Sequence, residues 1–147
     1  MANGATTRIE KALLDKLRLL TLSPVRRVAW PGMSFVPVIG EIYLAPGILW
    51  NTSERGEVGS QAARRHVGIF QVNVRGPAIG NPETDAEIAD LIIEHFDREV
   101  ISHNSVLVRI GSFTGGRAVP WRGGAITDDG WRLIPVSIPF WCDVFPT

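Results

Sequence analysis

The chain has 147 residues, with 15 basic and 15 acidic side chains, so its formal net charge at neutral pH is zero. That balance excludes a general positive field for holding nucleic acid, and we expect no sequence-specific nucleic acid binding. The length indicates one domain, 1–147, and no apolar run is long enough to span a membrane.

The N-terminal segment predicts an amphipathic helix. From Ile9 onward, isoleucine and leucine recur every three or four residues, which is typical of a helix with one buried stripe. Thr7 and Glu10 have the spacing of a capping box at its start. Pro24 should end the helix after Ser23.

An apolar loop is expected between the next two strands. The strands are predicted at 25–30 and 41–50, the second interrupted at Pro46. The loop, 31–40, reads "PGMSFVPVIG", and its two prolines and two glycines exclude a long regular element. We expect it to pack Phe35 or to present it to a partner.

The middle of the chain combines a polar segment with a clear strand. Residues 51–66 are polar and show no period, which predicts a long polar loop or hairpin that is mobile in an isolated subunit. The segment 66–76 then alternates, with Phe70, Val72 and Val74 on one face of a strand.

A second helix is predicted after Asn81. Asn81 is a suitable N-cap residue, and Pro82 suits the first helical position. The spacing of the apolar residues predicts a buried stripe formed by Ile88, Leu91, Ile92, His95 and Phe96.

Three strands are expected to close the chain, at 106–111, 118–127 and 131–144, with an Asp-Gly turn joining the last two. Pro135 and Pro139 lie four residues apart in the last strand, so both missing N–H donors point to the same side. A one-sided deficit of donors is typical of a strand at the edge of a sheet.

The order of these elements predicts the fold class. In order they are a helix, two strands, a long loop, a strand, a second helix and three strands, and no internal repeat is present. We therefore expect an α+β domain in which two helices pack on one face of a mostly antiparallel or mixed sheet.

The sequence offers little catalytic chemistry. The single cysteine, Cys142, excludes an internal disulfide, and its position in the last strand predicts a buried thiol. We expect no catalytic residues, no cofactor and no metal. Two enzymatic readings stay open: a Cys–His nucleophile pair, and a cleft lined by His66 and Asp129.

Charge is distributed unevenly along the chain. Residues 83–99 contain seven acids and one base, a net charge of −6, so the remainder carries +6. Either this is a solvated acidic helix face, or two complementary patches meet between copies. On the second interpretation the expected interface residues are Phe35, Val36, Arg55, Arg64, Arg65, Glu87, Asp90 and Glu94.

Taken together, the sequence resembles the phage tail terminator, or tail completion, proteins of long-tailed phages. The resemblance extends over almost the whole chain and depends on the order and spacing of its parts. These are a first amphipathic helix, the Trp30-Pro31 loop with Phe35 and Pro37, "EIYLAP" at 41–46, "GIFQVNV" at 68–74, Gly80, Pro82 and Ala86 before and in the second helix, and the closing strand from Trp131 to Pro139.

The resemblance implies a structural virion protein and not an enzyme. It implies a six-membered ring that caps the tail tube, stops its polymerisation and offers a surface for head joining. The partners would be further copies, the tail tube protein and a head–tail connector protein. The location would be the head-proximal end of the virion tail, after assembly in the host cytoplasm. A neighbouring stopper or adaptor protein is the alternative.

Overall fold

The computed structural model describes residues 4–51, 54–55, 64–103, 106–111 and 119–144. It confirms the α+β class, with two helices and a mixed sheet of nine strands in these ranges. In chain order the elements are α1 (Ala5–Arg18), β1 (Arg27–Val28), β2 (Tyr43–Trp50), β3 (Glu54–Arg55), β4 (Arg64–Pro77), α2 (Pro82–Phe96), β5 (Val100–His103), β6 (Val106–Ile110), β7 (Trp121–Arg122), β8 (Ile126–Asp128) and β9 (Trp131–Val144).

The sheet is organised around the long antiparallel pair β4–β9. The two strands pair over all 14 residues of each, from Arg64 opposite Val144 to Pro77 opposite Trp131. The strand order is β1-β2-β4-β9-β6-β5, with β3 added to β4, and β7 and β8 added to β9. Among the strands of the described ranges, only the β1–β2 pair is parallel.

The sheet has an inner face, which both helices cover, and an outer face, which neither covers. Alternate residues of β4 and β9 point to the inner face and are buried. One core cluster joins them to the apolar residues of both helices, as predicted. Its largest fully buried members include Ile9, Leu13, Phe70, Ile92, Phe96, Ile134, Ile138 and Phe140.

The edge position predicted for the last strand is wrong, because β9 lies in the middle of the sheet. The one-sided donor deficit is nevertheless present. The missing donors of Pro135 and Pro139 both point away from β4. On that side, the Pro135 carbonyl accepts a hydrogen bond from Gly123 N and the Pro139 carbonyl accepts one from Gly111 N, each at 2.8 Å. On that side β8, β7 and β6 pair with β9 in turn, and both prolines fall in the gaps between them.

The first helix is shifted from its predicted bounds. It begins at Ala5 with Gly4 as the N-cap residue and without a side-chain cap, so the capping box is wrong. It ends at Arg18, well before Pro24. In a continued helix Leu22 would lie about 140° around the axis from Leu17. Ending the helix early lets both leucines be buried.

Several strand predictions need correction. Pro46 does not interrupt β2, because its missing donor points away from β4, beyond the end of β1. The strand predicted at 25–30 is only two residues long, and the one predicted at 118–127 is two short strands, β7 and β8. The four-residue strand β5 was missed. The Asp-Gly turn is confirmed, with positive φ at Asp129 and Gly130.

The second helix starts as predicted. The Asn81 side chain accepts a hydrogen bond from Glu83 N at 3.0 Å, with Pro82 at the first helical position. Its buried stripe differs in part, since Leu91 is 45% exposed and His95 only half-buried. Asp85 is buried instead, and this acid belongs to the core side of the helix.

The polar segment, 51–66, contains a short β-hairpin pairing between β3 and the start of β4. Glu54 pairs with Arg65, and Arg55 pairs with Arg64, so β4 begins two residues earlier than predicted. Residues 52–53 and 56–63 lie outside the described part of the chain, and the predicted mobility of 51–66 stays a prediction.

Candidate interaction surface

A buried ion pair interrupts the otherwise apolar inner face. The Arg132 Nε donates to Asp85 Oδ2 at 2.9 Å, and both side chains are at least nine-tenths buried. Gly76 makes room for it, because a Cβ atom there would lie 2.7 Å from Asp85 Oδ2. An acid counted among the exposed charges of α2 therefore joins the helix to β9.

The structure separates His66 and Asp129, and the enzymatic cleft between them is wrong. His66 is opposite Cys142 near one end of the β4–β9 pair, while Asp129 lies in the turn at the other end. Over eleven residues of extended strand, from Trp131 to Trp141, the separation is roughly 30 Å or more.

His66 and Cys142 do share the inner face, but burial opposes their ionisation. Burial raises the pKa of the Cys142 thiol. Burial, and then the charge of Arg64, lowers the pKa of His66. A thiolate–imidazolium pair needs the opposite shifts, so this geometry favours a neutral packed pair. The predicted burial of Cys142 is confirmed.

The expected arginine patch is only partly available for a partner. Arg65 is half-buried and binds Asp143 of the same chain through two hydrogen bonds, of 2.8 and 2.9 Å. That contact holds the pKa of Asp143 below its ordinary value. Arg64 is exposed. The structure places Arg55 beside Arg64 in the β3–β4 hairpin.

Arg109, which is not among the interface residues expected from the sequence, lies in the same region. Arg65 and Arg109 each lie 5.3 Å from the Trp141 ring, on the outer face. Arg109 is exposed and forms no ion pair with the described part of the chain. The pairing of β6 with β9 brings it there, and no local sequence signal indicated that pairing.

The acidic residues of α2 form an exposed stripe. Glu87, Asp90 and Glu94 lie on the side of the helix opposite the core, as expected, and Leu91 lies among them. Asp90 is 3.4 Å from Arg122 of β7, within ion-pair distance. Glu87 and Glu94 form no ion pair with the residues that the structure describes.

The apolar loop 31–40 packs Phe35 and exposes its other large side chains. The Phe35 ring lies 4.7 Å from that of Tyr43, and the Arg27 guanidinium lies over the Phe35 ring, 4.5 Å from its centre. Val36 is 75% exposed and Ile39 is 95% exposed. Of the two expected contact residues in the loop, only Val36 is open to a partner.

Two concave regions accompany this loop. A groove of about 540 Å³ lies between the end of α1 and β1, with Leu17, Leu22, Trp30 and Phe35 in its wall. A smaller one of about 300 Å³ lies beside Ile39 and Trp131. No titratable cluster able to hold a metal ion was found among the described residues.

The outer face carries exposed apolar residues that neither helix covers. The pairing register places five of the large exposed side chains there. They are Leu49, Val100, Leu107, Trp121 and Ile126, between 40% and 57% exposed. An uncovered apolar sheet face is typical of a protein that binds another protein.

Comparison with known proteins identifies the family. The model of the phage tail terminator proteins matches residues 8–140. The chain belongs to the phage tail terminator family. This is a family of structural virion proteins, and the chain is a structural component of the phage tail. Membership implies interaction with tail and head components.

The fold of this terminator recurs in a solved structure. That structure is 24% identical in sequence, with a TM-score of 0.69, and the match covers 97% of this chain and 95% of the other. None of the curated proteins matches the chain. No helix in the described ranges combines the length and apolar character needed to cross a membrane.

Proposed function

We propose that six copies of this terminator form a closed ring on the last ring of the tail tube. The ring stops tube polymerisation and offers its free side to a head–tail connector protein. It would then lie at the head-proximal end of the tail, after assembly in the host cytoplasm.

The observation that carries the proposal is the placement of charge. The acidic stripe of α2 lies on the helical side of the molecule, whereas Arg109 lies on the outer face of the sheet and Arg64 at one end of β4. A closed ring needs two different patches on each subunit, since every copy meets one neighbour on each side. Patches of opposite sign on different sides satisfy that need without any net charge.

The contact residues divide into two groups. The cationic end of the sheet on one copy and the acids of α2 on the next would select the partner and its orientation. The cations are Arg55, Arg64, Arg65 and Arg109, and the acids are Glu87, Asp90 and Glu94. Arg65 contributes less because Asp143 already binds it. Exposed pairs contribute only about 0–1 kcal/mol each, so most affinity must come from apolar contacts. Phe35 and Val36 belong to that second group, with Phe35 acting chiefly by supporting the loop.

The test is the mass of the purified protein with and without tail tubes. We expect a six-copy ring that binds one end of the tubes and prevents further growth. Assembly should weaken as salt rises above about 0.15 M, where the Debye length is about 8 Å. Binding to a portal-side partner with no effect on tubes would instead indicate a stopper or adaptor, and the terminator proposal would be wrong.

A further inference from the structure

One end of the outer face combines exposed apolar side chains with a cation that forms no ion pair with the residues that the structure describes. Val100 and Leu107 are 49% and 40% exposed. Arg109 is opposite Val100 in the β5–β6 pair and stacks on Trp141. We call these four residues the Trp141 patch. Asp143 forms its ion pair with Arg65 and is also within electrostatic range of Arg109. Two arginines beside one carboxylate leave a net positive charge at this end of the sheet.

The exposed side of α2 has the complementary composition. Glu87, Asp90, Leu91 and Glu94 follow the i, i+3, i+4, i+7 pattern of one helix face, and we call them the α2 stripe. Its single apolar member, Leu91, is 45% exposed and lies between the acids. A leucine in the centre of an acidic helix face has no role in the core of the monomer.

We propose that the α2 stripe of one copy binds the Trp141 patch of the next copy. This rests on the proposed ring and names the contact that closes it. The neighbour's helix would cover the end of the sheet that this chain leaves open, so that the sheet there has a helix on each face.

The dimensions of the two surfaces agree. Measured along the helix axis, Glu87 lies about 6 Å before Leu91 and Glu94 lies about 4.5 Å after it. On the sheet, Arg109 lies about 5 Å from Val100 and about 7 Å from Leu107. With Leu91 packed between Val100 and Leu107, a glutamate on either side is within reach of Arg109.

A second copy fits this patch because the two surfaces have opposite charge and belong to opposite layers of one chain. The α2 stripe faces away from the inner face, and the Trp141 patch lies on the outer face. A twofold interface could pair both surfaces at once only if they lay on the same side of the subunit, and here they lie on opposite sides. A head-to-tail contact pairs unlike surfaces and produces a ring when the rotation closes.

The test uses charge reversal and mixing. R109E and the double variant E87R/E94R each place like charges at every contact, so each alone should lose the ring and remain monomeric at concentrations where the original protein is assembled. Mixed in equal amounts, they should form rings again. Alternating copies then pair native charges at one contact and reversed charges at the next, and a six-membered ring allows that alternation.

Three further variants complete the experiment, read by native mass spectrometry and thermal melting. K11E reverses an exposed cation on α1 outside both surfaces and should assemble like the original protein. R109Q removes the charge without adding an acid, and should raise the subunit concentration for half-assembly in the same direction as R109E, by about tenfold or less. L91N removes the apolar contact without adding a charge, so it should weaken assembly, and mixing it with R109E should not restore rings because its two glutamates would still face the reversed patch.

The outcomes separate the two proposals. Rings of R109E that assemble like the original protein would overturn this contact and leave the proposed function standing. Failure of the mixture to assemble, when both variants melt as folded proteins, would also overturn it. If the original protein forms no ring with or without tail tubes, the proposed function itself is wrong.

Discussion

The inner and outer faces of the β4–β9 pair are built from alternate residues of the same two segments, yet they have different roles. On the inner face, Phe70, Val72 and Val136 are completely buried by two helices of the same chain. On the outer face their neighbours Ile69, Gln71 and Ser137 are only half-buried. One face therefore stabilises the fold, while the other stays accessible for the contacts between molecules proposed above.

The largest expected difference between the faces is in the free energy of unfolding that is lost when adjacent residues of β4 are replaced by alanine. Phe70→Ala should lower the free energy of unfolding by about 3–5 kcal/mol, because it removes a ring packed 5.6 Å from that of Phe96. Ile69→Ala, one residue away on the outer face, should cost the monomer less than half as much. Urea unfolding of both variants measures this. Equal losses would mean that the outer face also stabilises the monomer.

The ion pairs of the two faces should differ in the same direction. Asp85→Ala leaves the buried guanidinium of Arg132 without its partner and should cost about 3–5 kcal/mol. Asp143→Ala breaks the half-exposed pair with Arg65 on the outer face and should cost about 0–1 kcal/mol. Chemical denaturation gives both values. A loss below about 1 kcal/mol for Asp85→Ala would show that water reaches the inner pair.

The smallest expected effect is a difference in pH dependence. Because the folded state lowers the pKa of His66, its contribution is complete above the ordinary histidine value of about 6.5 and is lost as pH falls through it. The pKa of Asp143 is also lowered, so its contribution is lost only as pH falls below about 3.9.

Melting temperature measured against pH distinguishes these two groups. His66→Asn should remove the decline between about pH 7 and pH 5, and Asp143→Asn should reduce the one below pH 4. A decline near pH 6 that persists in His66→Asn would show that His66 is not its source.

Local sequence determined the elements whose signals are local. Alternation in 66–76 predicted β4, the Asn81-Pro82 pair predicted the start of α2, and the Asp-Gly pair predicted the last turn. The α+β class and the family resemblance followed from the order of such elements. Each element depends on residues within a few positions of one another, and their order is visible along the chain, so one sequence is sufficient to show both.

The proline-containing last strand shows what only the tertiary structure decided. The spacing of four residues showed correctly that Pro135 and Pro139 lack their N–H donors on the same side of the strand. It could not show whether that side faces solvent or a series of short strands, because β6, β7 and β8 come from other parts of the chain. Long-range pairing therefore placed β9 in the centre of the sheet.

The same physical reason explains the interaction surface. Helical spacing identified the exposed acids of α2. Asp85 is the exception, because it is buried against Arg132, which lies 47 residues away in the chain. Arg65 was expected to be free, and its partner Asp143 is 78 residues away. Arg109 was not considered because its neighbour Trp141 becomes adjacent only when β6 joins β9. Sequence alone indicated which charges exist, and the tertiary pairing decided which of them the fold neutralises and which it leaves exposed.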